Sequence, residues 1–319
     1  MTAPTLSLDS RRRSALADRI FRSLAVAAGA TVLAVLGLIA VSTTRDAWPA
    51  FAQEGFGFLT SSEWSPAQGR FGALAFIYGT LVISAIALML AVPVSIGIAL
   101  FITEVAGPRL RQPTIYLIDL LAAVPSVVYG LWGVLVLGPF VFGLYDSMSG
   151  ALSGVPVVGA LFEGPVNQKS YMTAGFILAI MILPIITSVT REVFATVPVD
   201  DKAGALALGA TRWEMIRGAV FPYARSGVMG AVMLGLGRAM GETIAAALVI
   251  GSAPSISARL FGSGDAMAAV IANQFGEAGG VHRAALIGLG VVLFAMTILV
   301  NVAARFVVTR TERKMGAPS

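Results

Sequence analysis

The chain has 319 residues, of which 57% are hydrophobic and only 12% are charged, and its mean hydropathy is +0.84. A soluble domain carries about twice that charged fraction, so the composition excludes a soluble globular protein and indicates a polytopic membrane protein. There is no cysteine and a single histidine, which excludes disulfides, thiolate chemistry, iron–sulfur clusters and the usual zinc sites. The formal net charge is +5, but the positions of the charged residues along the chain are more informative than this total, because they predict the orientation in the membrane.

Six apolar segments are long enough to cross a bilayer, because about 20 helical residues span its hydrocarbon core. They cover residues 22–43, 73–103, 114–140, 171–191, 223–250 and 284–306. The first segment follows a basic tail, residues 1–21, which resembles the start of a signal peptide. Its apolar run is longer than that of a signal peptide and no clear cleavage site follows it. We therefore predict a retained first helix, with a signal peptide as the alternative.

The distribution of lysine and arginine predicts that both termini lie in the cytoplasm, since cytoplasmic segments are enriched in these residues. With that orientation, sixteen of the 22 basic residues fall on inner segments. Five fall on outer segments, and Arg238 lies within the fifth span. The outer loops, residues 44–72, 141–170 and 251–283, are too short to form an independent binding domain.

Three predicted spans contain an internal proline, at Pro93, Pro125 or Pro184. Proline removes a backbone hydrogen bond and tends to kink its helix, which favours bent helices around a central cavity. The alternative is that proline is simply commoner in membrane helices. Asp119 is an acidic residue within the third span, less than two turns after Pro113. A carboxylate there would complement the dipole of a helix N-terminus, so we interpret Asp119 as structural.

The longest inner connection, residues 192–222, is predicted to be structured. Pro198 and the two aspartates after it indicate a helix start, and Gly209 indicates a helix end. Thr211 and Glu214 carry the sequence signature of a capping box at the start of a second, amphipathic helix. A short helix on the inner face is either a docking element for a soluble partner or an interfacial helix that rests on lipid headgroups.

The sequence GRAMGETIAAALVIG, residues 237–251, places Arg238 and Glu242 in the middle of an apolar run. If the fifth span is one helix, both side chains project from the same face, and Arg238 is too far from either end to reach the interface. An ionised guanidinium costs several kcal/mol in hydrocarbon, so Arg238 must face protein or water. One interpretation is an ion pair that locks helix packing. We favour a water-accessible path in which Arg238 binds an anion and Glu242 weakens that binding enough for release.

The inner connection resembles the EAA loop of ABC-importer permeases, whose pattern is E-A-A-x3-G-x9-I-x-L-P. With Gly209 on the glycine of the pattern, Pro222 falls on its proline, thirteen residues later. The first position, usually glutamate, is alanine here, a departure that leaves the helix–glycine–helix shape intact. The resemblance implies that the residues that couple the chain to an ATPase are Ala203, Gly204, Ala205, Leu208 and Gly209.

Two further motifs, LLAAVPSVVYGLWG at residues 120–133 and GLGRAMGET at residues 235–243, are similar to the phosphate-specific (Pst) members of these permeases. The extended N-terminus and the motif GATRWEMI, residues 209–216, favour the PstC type over the PstA type. In the resembling family, the arginine and glutamate that match Arg238 and Glu242 belong to the helix that lines the translocation path.

The resemblance covers residues 71–310, which we expect to form a permease core. It implies an all-α polytopic membrane protein with the type I ABC-importer permease (MetI-like) fold and six transmembrane helices. The tail 1–21 and the first transmembrane helix, 22–43, would precede this core, and a cytoplasmic tail, 311–319, would follow it. The EAA loop would lie within the core at residues 192–222.

The chain has no phosphate-binding motif of the type G-x-x-x-x-G-K-[ST]. Because that motif is absent, we expect no enzyme activity and no cofactor on this chain, with ATP hydrolysed by another polypeptide. The resemblance implies a PstB-like ATPase dimer, a PstS-like phosphate-binding protein and a PstA-like permease as partners. It also implies phosphate as the substrate and the inner membrane of a bacterium, with its lipid, as the location. No nucleic acid is expected as a partner.

Two other functions remain open at this stage. Arginine does not by itself discriminate between tetrahedral anions, so the substrate could be another oxyanion such as molybdate or sulfate. A secondary carrier that uses Arg238 and Glu242 as a proton relay is the second alternative, and it would need no docking loop. An intramembrane enzyme is disfavoured because the spans contain no aspartate pair, no Ser–His arrangement and no set of metal ligands. His282, beside Arg283 at an outer edge, is assigned no role.

Overall fold

The structure is a computed structural model that describes residues 8–156 and 159–314, which are mostly helical. Within these residues, six helical segments are long and apolar enough to cross a membrane, which confirms the predicted number. They are Asp18–Glu54, Leu74–Val105, Ser126–Leu152, Tyr171–Ala195, Arg212–Gly241 and Gly280–Phe306. An even number of crossings places both ends of the chain on the same side. We call that side, which the charge distribution assigns to the cytoplasm, the basic side.

The described residues form a series of helices, with one small β-hairpin between the first and second membrane spans. In order they are α1 (Leu8–Glu54), α2 (Gly57–Thr60), β1 (Trp64–Ser65), β2 (Arg70–Phe71), α3 (Leu74–Leu100), α4 (Pro108–Ala123), α5 (Ser126–Trp132), α6 (Gly138–Leu152), α7 (Tyr171–Ala195), α8 (Val199–Ala207), α9 (Arg212–Met215), α10 (Phe221–Gly241), α11 (Ile244–Val249), α12 (Met267–Gln274) and α13 (Gly280–Lys314). The two strands pair antiparallel, with Trp64 opposite Phe71.

Wide π-helical turns extend or join three of the spans. One follows α3 at Phe101–Val105, one joins α5 to α6 at Gly133–Leu137, and one joins α9 to α10 at Ile216–Val220. Short 3-10 turns cover Pro66–Gln68 and Gly159–Leu161. Such π turns interrupt the regular hydrogen-bond ladder and are frequent at functional sites.

The terminal helices are longer than the predicted spans. The first helix begins at Leu8, inside the predicted tail 1–21, and it continues well past residue 43. The last helix likewise extends to Lys314, inside the predicted tail 311–319. The remaining residues of both predicted tails lie outside the part of the chain that the structure describes.

The predicted third span, residues 114–140, was wrong at its start. The backbone is extended at Val124 and Pro125, so α4 ends before them and the third crossing begins at Ser126. A proline disfavours the helical conformation of the residue before it, which explains the break. Asp119 is the twelfth residue of α4 and lies near its C-terminal end, so the interpretation of Asp119 as the complement of a helix N-terminus was also wrong.

The core of the molecule is the interface between α3 and α7. Ile83 of α3 and Ile177 and Ile182 of α7 are fully buried in one hydrophobic cluster. The Oγ of Ser95 donates a hydrogen bond across this interface to the carbonyl oxygen of Leu183, at 3.1 Å. In a membrane, close helix packing and such hydrogen bonds hold helices together, since lipid offers no hydrophobic driving force between them.

On the side opposite to the basic side, the hairpin is fastened to α12 and α13. The indole Nε1 of Trp64 donates to the side-chain oxygen of Gln274 at 3.0 Å, and Nε2 of His282 lies 3.1 Å from the same oxygen. The His282 ring also stacks on Phe71, with 5.6 Å between the ring centroids. These contacts give His282 a structural environment between the hairpin and the last helix.

The connection between α11 and α12 is held against the ends of α3 and α7. The hydroxyl of Tyr78 donates to the Ser257 carbonyl at 2.8 Å, and that of Tyr171 donates to the Ser255 carbonyl at 3.0 Å. Asp265, at the end of this connection, is only 4% exposed, and its carboxylate accepts the N–H of Ala266 at 2.8 Å.

The burial of Asp265 predicts a pH-dependent stability. Burial raises the pKa of its carboxyl to about 6, and the Ala266 N–H only partly offsets this rise. The folded chain then keeps a proton that the unfolded chain releases near pH 4. The contribution of Asp265 to the free energy of unfolding should therefore fall by about 3 kcal/mol between about pH 4 and 6 and then level off.

Asp265→Asn should remove that contribution and stabilise the folded chain at neutral pH. Thermal denaturation of the purified protein in detergent, at pH 4.5 and at pH 7, measures the effect. The melting temperature of the wild type should fall more between the two pH values than that of the variant. Equal falls in the two proteins would contradict the prediction.

Candidate functional site

Arg238 lies in the last turn of α10, three residues before the helix ends at Gly241. The carbonyl groups at a helix C-terminus carry partial negative charge, so this position stabilises a guanidinium group. The side chain is exposed, and within residues 8–156 and 159–314 it takes part in no ion pair. The arginine is therefore anchored by the end of its helix while its charge remains accessible.

The fifth span is not one helix, and the prediction that Arg238 and Glu242 share a helix face was wrong. Glu242 has extended backbone angles, with φ −70° and ψ 126°, and α11 begins only at Ile244. A carboxylate oxygen of Glu242 accepts the N–H of Ala245 at 3.4 Å, so the glutamate caps the start of α11. In transporters, interrupted membrane helices place backbone and side-chain polar groups at the substrate site.

A groove runs from Arg238 along the boundary between α10 and α13. Its first part has a volume of about 560 Å³ and is lined by Ile185, Gly230, Met233, Leu234, Gly237, Arg238 and Asn301. A second part of about 340 Å³ shares Met233 and Asn301 with the first and continues to Arg305. We call the two parts together the α10–α13 groove. It presents two arginines and an asparagine along one continuous surface.

Asn301 and Arg305 were not identified from the sequence as candidate site residues. A signal was present, because Thr297, Asn301 and Arg305 follow one another at intervals of four residues in an otherwise apolar segment. That spacing places the three side chains on one face of a helix. The Nδ2 of Asn301 donates to the Thr297 carbonyl at 2.9 Å, and both Asn301 and Arg305 line the groove.

The connection between α7 and α10 has the predicted helix–glycine–helix shape, although it begins after Ala195 rather than at residue 192. Gly209 follows α8 with φ +89°, a left-handed conformation that favours glycine. The predicted capping box is confirmed: the Thr211 side chain accepts the Glu214 N–H, and the Glu214 carboxylate accepts the Thr211 N–H at 2.8 Å. The second helix, α9, then continues through the π turn into α10.

Five residues of this connection form what we call the coupling surface: Ala203, Gly204, Ala205, Leu208 and Gly209. Ala205 is partly buried against the cluster that contains Phe194 and Val220, and the other four are exposed. Leu208 is 90% exposed. This leucine is therefore available for an apolar contact with another protein.

An ion pair that was not predicted lies behind the coupling surface. The Nζ of Lys202, on α8, is 2.6 Å from a carboxylate oxygen of Glu104, in the π turn after α3. The two side chains are 19% and 8% exposed, respectively. Glu104 was visible in the sequence as a charge directly after the second apolar span. Its partner, Lys202, lies almost one hundred residues away along the chain, so the pair could not be recognised.

The other two residues singled out from the sequence lie elsewhere. Asp119 is exposed on α4, and His282 belongs to the hairpin contacts on the opposite side; neither lines the α10–α13 groove. Over the described part of the chain, no three His, Cys, Asp or Glu side chains converge in a way that could hold a metal ion.

Comparison with known proteins identifies the family. The family described as "Binding-protein-dependent transport system inner membrane component" matches residues 91–316, well over half of the chain. The chain belongs to this family. It is therefore a permease subunit and a multi-pass membrane protein, and the family match includes the coupling surface and the α10–α13 groove.

Close relatives carry a more specific name. The permease is 46% identical to "Phosphate transport system permease protein PstC" of Mesorhizobium japonicum, over 96% of this chain and 94% of that protein. It is 39% identical to the protein of the same name from Haemophilus influenzae, over 94% of this chain and 95% of that protein.

Solved structures confirm the predicted fold. The permease resembles a chain of a bacterial ABC transporter for the acidic polysaccharide alginate, with a TM-score of 0.55, 17% identity and coverage of 95% and 97% of the two chains. It also resembles a chain of the inward-facing methionine ABC transporter MetNI, with a TM-score of 0.55, 14% identity and coverage of 78% and 99%. The MetI-like ABC-permease fold is thus confirmed.

Proposed function

We propose that this permease is the PstC-type subunit of an ATP-driven importer of inorganic phosphate in a bacterial inner membrane. The observation that carries the proposal is the 46% identity, over 96% of the chain, to a phosphate transport system permease. The chemistry of Arg238 supports it, because a guanidinium is always charged and its planar fork matches two phosphate oxygens. The guanidinium fork would also match other tetrahedral oxyanions, so Arg238 by itself supports phosphate less strongly than the sequence identity does.

The α10–α13 groove is the proposed route of the anion through this subunit. Arg238 would replace part of the hydration of phosphate near the end of the fifth span, and Asn301 and Arg305 would provide further contacts in the direction of the basic side. Conduction requires that each site bind weakly enough to release the ion. The Glu242 carboxylate, at the helix break four residues after Arg238, opposes the bound anion and limits its affinity.

ATP hydrolysis is assigned to partner subunits, and the permease itself needs no cofactor. A PstB-like ATPase dimer would bind the coupling surface, where Leu208 offers an exposed apolar contact. A PstA-like permease would form the other half of the path, and a PstS-like protein would deliver phosphate from outside. The short connections between spans on the opposite side support a separate binding protein, since they are too small to bind phosphate as a domain.

Cysteine labelling tests whether the groove is a wetted anion path. The chain has no cysteine of its own, so a single introduced cysteine can be followed by a gel shift of this subunit. In the assembled importer, Asn301→Cys should react with a negatively charged methanethiosulfonate, and inorganic phosphate should slow the reaction. The physical reason is that the reagent and phosphate would share one aqueous, cationic route.

Leu299→Cys provides the matched control. Leu299 is 69% exposed, but it lies two residues from Asn301, about 200° around the helix, and it does not line the groove. Lipid should protect it from the charged reagent, so it should react at least tenfold more slowly. Equally slow reaction at both positions would argue against the path.

The identity of the anion is tested separately by adding sulfate or molybdate during phosphate uptake. An oxyanion that competes strongly with phosphate would point to that oxyanion as the substrate.

A further inference from the structure

The Lys202–Glu104 ion pair is unusual for its burial. Its 2.6 Å contact connects two side chains that are only 19% and 8% exposed. The Arg70–Glu63 pair, on the opposite side of the membrane, is by contrast 63% and 47% exposed. An exposed pair contributes little, whereas a buried pair interacts strongly and leaves an uncompensated charge when one partner is removed.

This ion pair is a direct polar link between α8 and the second span. No residue of α8 is fully buried, so few side-chain contacts hold this helix to the rest of the permease. Lys202 precedes the coupling surface by one residue. Glu104 lies in the π turn that ends the second span, and α3 of that span packs along α7 to form the core. The pair therefore joins the coupling surface to α3, and through α3 to the core that it forms with α7.

The coupling surface has a second, covalent connection to the membrane. After Gly209 the chain passes through α9 and the π turn into α10, which carries Arg238 in its last turn. A displacement of α8 would thus reach α10 through the backbone and α3 through the ion pair. These two helices belong to different spans, both pack against α7, and they also contact each other.

We propose that Lys202 and Glu104 are positioning residues that transmit the movement of the coupling surface to the second span. The inference rests on the proposed function, because it assumes that a partner ATPase moves α8. Without the pair, α8 would still bind the ATPase, yet its movement would reach α3 only indirectly, through α10. ATP hydrolysis would then continue while each ATP moved less phosphate.

The test uses the complete importer in proteoliposomes, with phosphate uptake and ATP hydrolysis measured together. Glu104→Gln and Lys202→Met should each assemble with the ATPase and lower the phosphate transported per ATP at least tenfold. The exchange variant, Glu104→Lys with Lys202→Glu, restores opposite charges and should return the ratio to within about threefold of the wild type. Glu63→Gln, which removes one charge of the exposed pair, is the matched control and should leave the ratio unchanged.

Each outcome is decisive. Single variants that keep the wild-type ratio would overturn the inference, and so would an exchange variant that is no better than the single ones. If a single variant fails to assemble, Glu104→Asp decides, since it keeps the charge but shortens the side chain that reaches Lys202. A wild-type ratio in the assembled Glu104→Asp importer would leave the pair a role in stability alone and would overturn the inference. Failure of the proposed function is a different result: the wild-type importer itself would then take up no phosphate with ATP.

Discussion

Arg238→Gln is expected to lower ATP-dependent phosphate uptake by about ten- to hundredfold or more, with the importer still assembled. A hydrogen bond to a charged group contributes about 1.5–3 kcal/mol, and a bidentate guanidinium contact with phosphate involves two of them. The side chain is exposed and takes part in no ion pair among the described residues, so its loss should disturb the fold little. Uptake of radiolabelled phosphate into proteoliposomes, normalised to the amount of complex, measures the effect.

Two further variants sharpen this measurement. Arg238→Lys keeps the charge but loses the planar fork, so its uptake should be intermediate. Arg45→Gln removes an exposed arginine near the end of the first span on the opposite side and should leave uptake unchanged. Normal uptake by an assembled Arg238→Gln importer would reject a role for Arg238 in the path.

Leu208→Asp and Gly209→Val are expected to release the ATPase from the permease. The first change places a charge where an exposed leucine offers an apolar contact. The second forces a β-branched residue into a backbone with φ +89°, which costs roughly 1–2 kcal/mol and redirects the turn between α8 and α9. The amount of ATPase that co-purifies with the permease should fall at least tenfold in each variant, and uptake should fall with it.

Gly218→Val is the matched control for the glycine variant. Gly218 is also exposed on the basic side, but its φ is not positive and a Cβ there would meet open space. The control should retain the ATPase. If Leu208→Asp and Gly209→Val co-purify with as much ATPase as the control and transport phosphate normally, the coupling surface is assigned to the wrong residues.

The spans and the coupling connection could be predicted from the sequence because their signals are local. Apolar length determines which helices cross the membrane, and the capping box between Thr211 and Glu214 needs only its own turn to form. The start of the third span was missed because its apolar run continues through Pro125, although that proline divides α4 from α5. Hydrophobicity alone does not distinguish one interrupted segment from one continuous helix.

The candidate site was predicted only in part. Arg238 and Glu242 were found because charges are costly in an apolar segment. Their relative geometry was not predicted, because the helix ends at Gly241. The hydroxyl of Thr243 donates to the Gly241 carbonyl at 3.2 Å, a local side-chain bond that competes with continuation of the helix. The pair between Lys202 and Glu104 depends on how distant segments pack, which no local pattern in the sequence expresses.

The fifth span, from Arg212 to Gly241, is a long helical element that contains one π turn. Its 30 residues extend about 45 Å at 1.5 Å per residue. By simple geometry, a tilt of about 5° at the end near Gly209 displaces the far end by about 4 Å, which is most of the roughly 5.4 Å pitch of one helical turn. A small tilt of the connection near Gly209 would therefore displace the end of the span that carries Arg238 by several ångströms.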